Sequence, residues 1–117
     1  MGTYFTPREI ARFLAQWAIR QPSDLVLDPG AGLGIFIEES VQRLADLGSD
    51  PRSACNQVFA IEFDEVLFGD LEAKIAALGN RPNVFRADFF DFLPSEERLS
   101  DSLTIPRVDA VVGNPPY

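Results

Sequence analysis

The residues of this chain best suited to chemistry are the run Asn114-Pro115-Pro116-Tyr117, which follows the apolar segment 108–112. A strand over that segment would deliver the run to its carboxyl end. Two consecutive prolines cannot continue a strand, so the backbone there is stiff and its carbonyl groups lack ladder partners. An amide, free carbonyl groups and an aromatic ring in such a loop can grip a planar molecule that bears an NH2 group.

A second candidate site is the glycine-rich turn 28–34, Asp-Pro-Gly-Ala-Gly-Leu-Gly. Glycines between a strand and a helix let a ligand approach the backbone and the helix N-terminus, although many tight turns need glycines and bind nothing. The spacing departs from the dinucleotide fingerprint, and Phe36 stands near the position where a small residue would allow close helix packing. Asp28 would repel a pyrophosphate but suits a cationic group, which argues against a nicotinamide-dependent enzyme.

Acidic residues follow the next two apolar segments. Glu62 comes after segment 58–61 and can accept hydrogen bonds from both hydroxyls of a ribose, a role for which Asp64 competes. Asp88 comes after segment 83–87 and can accept a hydrogen bond from an adenine amino group, with Phe89 covering the ring. Glu62 could also be a solvated residue at a strand end, but the glycine-rich turn before it favours the ribose role. For the third segment the alternative is equally plain, since Phe89 can simply be a core residue.

The elements that position these residues follow from the alternation of helical and strand patterns, which predicts βαβ units and a parallel sheet. The predicted strands cover 25–27, 58–61, 83–87 and 108–112. A first helix is predicted to begin at an N-cap Thr6, with Pro7 and Glu9 in its first turn, and to end at Pro22. Its core-facing stripe is predicted from the 3.6-residue period as Ile10, Phe13, Leu14 and Trp17.

A second helix follows the glycine-rich turn and ends at Gly48. Its inward residues are predicted as Ile37, Val41, Leu44 and Leu47. A polar loop covers 48–56, and a third helix covers about 65–78, with Leu67, Leu71, Ile75 and Leu78 on one face. Segment 94–107 is either a short helix or a loop. Strand ends at Asp28, Glu62, Asp88 and Asn114 would then lie side by side at one edge of the sheet, where open α/β sheets bind ligands.

Composition limits the function further. The 117 residues are one domain, and a net charge of −8 argues against a self-sufficient nucleic-acid binder. With no histidine and a single cysteine, Cys55, catalysis by histidine, internal disulfides and thiolate metal clusters are excluded within this chain. No segment has the length and apolarity of a membrane span or a secretory signal, so we expect no membrane partner and a cytoplasmic location.

Over nearly its whole length the chain resembles the S-adenosylmethionine-dependent amino-methyltransferases, and in particular the DNA adenine-N6 methyltransferases. Tyr4-Phe5-Thr6-Pro7 resembles the family's motif before the glycine turn, and segment 28–34 resembles its cofactor loop, although Pro-Gly-Ala replaces the more usual small residues. Asn114-Pro115-Pro116-Tyr117 is similar to the catalytic motif. More residues separate Asp28 from Glu62 than is common in this family, and we assign the additional residues to the loop 48–56.

The resemblance implies a fold, a cofactor and residue roles. The fold is an α/β, Rossmann-like class I methyltransferase, a partial parallel sheet flanked by helices, and the cofactor is S-adenosyl-L-methionine. Glu62 matches the ribose-binding acid and Asp88 the adenine-binding acid. The implied cofactor site comprises Phe5, Thr6, Pro7, Asp28, Pro29, Gly30, Gly32, Glu62, Phe63, Asp88, Phe89 and Asn114.

The implied reaction is methylation of the N6 amine of adenine in DNA, in a restriction-modification system. Oxygens of Asn114 and Pro115 would each accept a hydrogen bond from one N–H group of the amine. Tyr117 would stack on a base flipped out of the duplex. Protein-glutamine and ribosomal RNA guanine-N2 methyltransferases share such a loop, so they stay as alternatives, together with a non-catalytic remnant that binds the cofactor.

The resemblance also implies that residues 1–117 form a single cofactor-binding domain truncated after its fourth strand. We therefore expect the chain alone to be inactive, and DNA to be contacted through regions that lie outside it. The fourth strand would leave an apolar edge uncovered, which favours self-association.

Overall fold

The computed structural model describes residues 6–76, 83–88 and 107–113. Within these ranges the chain forms four helices and four strands. In chain order they are α1 (Arg8–Ala18), β1 (Val26–Asp28), α2 (Ile35–Leu47), α3 (Pro51–Asn56), β2 (Val58–Glu62), α4 (Glu65–Ala76), β3 (Asn83–Arg86) and β4 (Ala110–Val111). Among these helices none is long and apolar enough to cross a membrane.

The four strands form one parallel sheet, as the alternating pattern predicted, and their order across it is β3-β2-β1-β4. In β1, Val26 is in register with Val58 of β2 on one side and with Ala110 of β4 on the other. Strands β1 and β2 are buried along almost their full length, since they lie inside the sheet. Strand β4 covers two residues rather than the predicted 108–112, and Asp109 Oδ2 accepts a hydrogen bond from Leu25 N at 2.8 Å just before it.

Helix α2 was predicted well because both its inward face and its end have strong local signals. Ile37 and Leu44 are fully buried, and Val41 and Leu47 pack at the margin of the core. Gly48 follows the helix with φ of 117°, a left-handed conformation that glycine adopts without strain. The predicted loop 48–56 is wrong in part, since it contains α3, whose first turn is capped by the Asp50 side chain.

Helix α1 packs with a different face from the one predicted. Ala11 and Ala15 are fully buried, whereas Ile10, Phe13 and Trp17 are 51%, 62% and 68% exposed. The predicted stripe is therefore wrong, apart from the half-buried Leu14. The N-cap is also Pro7 rather than Thr6, with no side-chain hydrogen bond, so the predicted capping box does not form.

Charged groups explain the orientation of α1. Glu39 of α2 has a side chain only 6% exposed, and it accepts from Arg8 Nη1 at 2.7 Å and from Arg12 Nε at 3.1 Å. The preceding residue, Glu38, pairs with Arg8 at 3.3 Å and with Lys74 of α4 at 2.7 Å. The alanine face of α1 can then approach α2 closely, and the two arginines satisfy a carboxylate that is otherwise buried.

We expect Glu39→Gln to lower the free energy of unfolding by about 1–2 kcal/mol, because one amide oxygen cannot satisfy both arginines. Burial alone would raise the pKa of Glu39, but the hydrogen bonds from Arg8 and Arg12 outweigh it and hold that pKa below its ordinary value. The stabilisation is thus present above the unfolded-state pKa and is lost as the pH falls through the folded-state pKa.

Urea unfolding of the 117-residue chain, followed by the fluorescence of its single tryptophan, measures this difference. The gap between wild type and Glu39→Gln should close toward pH 3. Asp70→Asn, at an exposed carboxylate of α4, is the control and should shift the midpoint little. Equal midpoints for Glu39→Gln and wild type at pH 7 would contradict the assignment.

Candidate active site at the strand switch point

The candidate site lies where the strand order reverses. Strands β1, β2 and β3 succeed one another in one direction across the sheet, whereas β4 is added on the other side of β1. In open parallel sheets, ligands bind outside the carboxyl ends of the strands at such a switch point. Asp28 is the last residue of β1 and Glu62 the last of β2, so two carboxylates arrive there.

The glycine-rich loop 29–34 connects β1 to α2 at this point. Its shape is fixed by backbone hydrogen bonds, from Ala31 N to Ile61 O at 2.9 Å and from Gly34 N to Ala31 O at 2.8 Å. Gly34 has φ of 84°, and a Cβ there would lie 2.7 Å from Leu71 Cδ1 of α4. Gly34 thus lets the start of α2 lie close to the Leu71 side chain of α4, at a position other than the one near Phe36 where the dinucleotide fingerprint has its third small residue. Gly32 has φ of 54° and open space where a side chain would be.

Glu62 braces the loop. Its side chain is buried, with Oε1 accepting from Gly32 N at 2.6 Å and Oε2 accepting from Asp64 N at 2.8 Å. The carboxylate thus joins the glycine-rich loop to the segment that leads into α4. Each oxygen keeps acceptor capacity for a ligand, because a carboxylate oxygen has more than one acceptor position.

Asp64, which competed with Glu62 for the same role, has a different one. Its Oδ1 accepts from Val66 N at 2.9 Å and from Leu67 N at 3.0 Å, in the first turn of α4. This is the geometry of a helix N-cap. Asp64 is also exposed, whereas Glu62 is buried beside the loop.

Asp28 is the most unusual titratable group of the described residues. It is 1% exposed, its Oδ1 accepts from Gly30 N at 3.0 Å, and its Oδ2 has no hydrogen-bond partner within the described ranges. Burial raises the pKa of Asp28 to about 7; the Gly30 N–H lowers that pKa, and the charge of Glu62 raises it. A buried oxygen atom without a hydrogen-bond partner lowers the stability of the fold, and such atoms are found more often in functional residues than in purely structural ones.

The remaining predicted residues divide into described and undescribed ones. Phe63, next to Glu62, is 68% exposed. Asp88 follows β3, whose Arg86 is in register with Glu62, so Asp88 lies at the same edge of the sheet. Thr6 and Pro7 precede Arg8, whose ion pairs hold it against the first turn of α2. The predicted residues that lie outside the described ranges are Phe5, Phe89, Asn114, Pro115 and Tyr117.

Two residues of this region were overlooked in the sequence. Gly113, before Asn114, has φ of 154° and lies against Asp28, although the sequence suggested only the end of a strand. Lys74 donates to Leu33 O in the glycine-rich loop at 3.0 Å, besides pairing with Glu38. The one signal for Lys74 is its place as the only lysine of the chain, on the helix after Glu62.

The parallel sheet, the flanking helices and the loop at the switch point define a Rossmann-like α/β methyltransferase fold. The chain belongs to the N-6 DNA Methylase family, whose model matches residues 1–117. No curated protein sequence matches it closely.

Three solved structures illustrate the likeness. A Vibrio vulnificus protein assigned as the modification subunit of a type I restriction enzyme is 22% identical, with a TM-score of 0.72 over 98% of this chain and 24% of that one. The methyltransferase subunit of a type I restriction-modification system from Streptococcus thermophilus is 18% identical, with a TM-score of 0.67 over 97% of this chain and 23% of that one. The 23S rRNA methyltransferase ErmE is 26% identical, with a TM-score of 0.59 over 81% of this chain and 34% of that one. The chain thus spans about a quarter of the length of the two type I subunits.

Proposed function

We propose that the full-length protein carrying this chain transfers a methyl group from S-adenosylmethionine to the exocyclic N6 amine of adenine in DNA. One observation carries the proposal: buried Asp28 and Glu62 both bind the glycine-rich loop at the switch point, beside the strand that leads to Asn114. Membership of the N-6 DNA Methylase family supports this choice of reaction.

The described side chains fit the proposed cofactor. Gly32 leaves open space at the loop, and the exposed ring of Phe63 can cover an adenine face. Glu62 can accept from ribose hydroxyls, Asp88 from the adenine amine, and the loop at Asp28 and Gly30 can hold the cationic amino-acid part. When bound, S-adenosylmethionine supplies an electrophilic methyl group on a sulfonium. Phe5, Thr6, Pro7, Pro29, Phe89 and Asn114 complete the proposed binding site.

The proposed catalytic residues are Asn114, Pro115 and Tyr117. An aromatic amine is a poor nucleophile because its lone pair is delocalised into the ring. The side-chain oxygen of Asn114 and the carbonyl oxygen of Pro115 each accept a hydrogen bond from one N–H group of the amine. These two hydrogen bonds localise the lone pair on the amine nitrogen. Tyr117 stacks on the flipped base, and the rest of the rate enhancement comes from holding the amine in line with the methyl group.

A test of the cofactor site compares Glu62→Gln with Asp64→Asn in the full-length protein. We expect Glu62→Gln to weaken S-adenosylmethionine binding about ten- to hundredfold, because a charge-assisted hydrogen bond is worth roughly 1.5–3 kcal/mol. Asp64→Asn keeps the cap oxygen of α4 and should change the affinity less than about twofold by the same reasoning. Isothermal titration calorimetry measures both.

Glu62 could support cofactor binding in two ways, by contacting the ribose and by holding the glycine-rich loop through Gly32 N. A cofactor analogue without the ribose 2′-hydroxyl separates these two effects. The wild type should prefer the natural cofactor, and Glu62→Gln should bind both ligands about equally. An undiminished preference in Glu62→Gln would remove Glu62 from the ribose site. No binding by the wild type at millimolar cofactor would contradict both the enzyme and the cofactor-binding remnant, and would favour a scaffold that mediates assembly.

The substrate is tested by transfer of a labelled methyl group to duplex DNA, ribosomal RNA and a glutamine-containing peptide. We expect label in adenine of DNA. Label in guanine of RNA would favour ribosomal RNA guanine-N2 methylation, and label in the peptide would favour protein-glutamine methylation.

The setting we propose is a cytoplasmic restriction-modification system. Since this chain has a net charge of −8, DNA is contacted chiefly through basic regions outside residues 1–117. Residues 1–117 themselves form a cofactor-binding domain. On its own the chain is then inactive, and it self-associates through β4. Within the described residues β4 pairs on one side only, and its Val111 is 59% exposed.

A further inference from the structure

Strands β1 and β4 make their last described hydrogen bond immediately before the candidate site. Val112 N donates to Leu27 O at 2.9 Å, and the next residue, Gly113, lies against the end of β1. A Cβ at position 113 would lie 2.5 Å from Asp28 Oδ1, 3.3 Å from Asp28 Cγ and 3.4 Å from Pro29 Cδ. Because packed atoms do not approach so closely, this contact accepts only a glycine without movement.

The Asp28 side of the contact is the side that cannot move. Its carboxyl is 1% exposed, and Oδ1 is held by Gly30 N at 3.0 Å. Strand β1 is paired on both sides, by β2 and by β4. Strand β4 is two residues long and pairs, among the described strands, with β1 alone. An added methyl group at position 113 would therefore displace the end of β4 and leave Asp28 in place.

We propose that Gly113 is a positioning residue: it rests directly on the Asp28 carboxyl and thereby fixes the distance between the cofactor loop and the end of β4, from which the chain continues to Asn114. The inference depends on the proposed function, since methyl transfer is the step that needs this distance held. Displacement of a reacting group by about 1 Å can cost roughly 100-fold in rate. Gly113 itself touches neither the amine nor the methyl group.

The first test is Gly113→Ala in the full-length protein, with duplex DNA as substrate. We expect kcat to fall about 100-fold, while the Kd for S-adenosylmethionine changes less than about threefold, because the cofactor loop and Asp28 stay in place. A kcat within about threefold of wild type would overturn the positioning role.

The control is Gly48→Ala, immediately after α2 and outside the candidate site. Gly48 has φ of 117°, so alanine is strained there too, but a Cβ would meet no atom within 4 Å. This variant should lose stability as Gly113→Ala does and keep its kcat. If kcat falls equally in both variants, in step with the folded fraction measured by circular dichroism, Gly113 has only a structural role and the proposal is overturned.

A second pair of variants removes the contact between position 113 and Asp28 by changing Asp28. This pair also tests the proposal if Gly113→Ala alone does not fold. Asp28→Ser takes away the colliding carboxylate oxygen, while the strain of an alanine at a φ of 154° remains, as it does in the Gly48→Ala control. Added to Asp28→Ser, Gly113→Ala should therefore cost at least about tenfold less in kcat than it costs in the wild type. The same loss in both backgrounds would show that the Asp28 contact is not the cause.

The outcomes also separate the two proposals. A wild-type protein that binds cofactor but methylates no DNA, RNA or peptide would overturn the proposed function, and the positioning role with it. A wild type that methylates DNA, together with an active Gly113→Ala variant, would overturn the positioning role alone.

Discussion

Replacing Asn114 with alanine in the full-length protein is expected to reduce kcat for adenine methylation by at least about 100-fold. Removal of one preorganised hydrogen-bonding group from an active site typically costs roughly this much. The variant loses the side-chain acceptor proposed to localise the amine lone pair, while the cofactor contacts proposed for Glu62 and the glycine-rich loop are kept. Because Asn114 is one of many residues of the proposed cofactor site, the Kd for S-adenosylmethionine should rise by less than about tenfold, far less than kcat falls.

Asn114→Asp is the matched variant, because it keeps an acceptor oxygen of the same size at the same position. We expect it to recover at least about tenfold of the activity that alanine loses. Steady-state transfer of a labelled methyl group to duplex DNA gives kcat, and calorimetry gives the cofactor Kd. Wild-type activity in Asn114→Ala, or a fall in cofactor affinity as large as the fall in kcat, would contradict the catalytic role.

Asp28→Asn is expected to stabilise the folded chain at pH 8 by an amount on the order of 3 kcal/mol. Burial raises the pKa of Asp28 to about 7, with Glu62 adding to the rise and the Gly30 N–H opposing it. The folded-state pKa thus lies above the ordinary unfolded value, so the folded chain holds a proton that the unfolded chain has released. Stability falls as the pH rises between the two pKa values, and above about 7 the fold contains a buried charge.

Asparagine is neutral and has nearly the same shape, and its oxygen can still accept from Gly30 N. The difference in unfolding free energy between Asp28→Asn and wild type should therefore be small at pH 4 and should grow up to pH 8. Urea midpoints at several pH values measure it, with Asp46→Asn, at an exposed carboxylate of α2, as the control. A difference that does not vary with pH, or a destabilised variant, would contradict the assignment.

The same substitution should weaken cofactor binding, because it removes the negative charge offered to the cationic part of S-adenosylmethionine. Stability and affinity are then expected to change in opposite directions, as is usual where a strained group serves function. A buried carboxylate that only stabilised the fold would not behave in this way.

The sequence predicted the parallel sheet and the sheet-edge position of the described acids, because strand ends and glycine turns carry strong local signals. Asp28, Glu62 and Asp88 lie where the pattern placed them. Their separate roles could not be predicted. Glu62 and Asp64 differ in burial and in which backbone N–H groups they reach, and both differences depend on how the loop and α4 meet in three dimensions.

Helix α1 shows a second limit of sequence patterns. Both of its faces carry apolar residues, and periodicity favours the larger ones, Ile10, Phe13 and Trp17. Close packing against α2 instead selects small residues, Ala11 and Ala15, beside arginines that can reach Glu39. This choice depends on a partner 27 residues away from Arg12 in the sequence, which no local window includes.

Helix α3 and Gly113 were missed for different reasons. The signal for α3 was present, since Asp50-Pro51 is a typical helix start. Gly113 carries no such signal, because its requirement comes from the Asp28 carboxyl on the neighbouring strand.

The two hydrogen bonds of Glu62 limit which substitutions this position can accept. Its two oxygens hold Gly32 N and Asp64 N, so the side chain offered to a ligand also sets the shape of the loop. An exchange of this acid alters ligand preference and loop geometry together, and a neutral amide can replace only one of the two acceptors. With the cofactor contact proposed for Glu62, a new cofactor preference would require coordinated change in both backbone segments that the carboxylate joins, and not a change at this position alone.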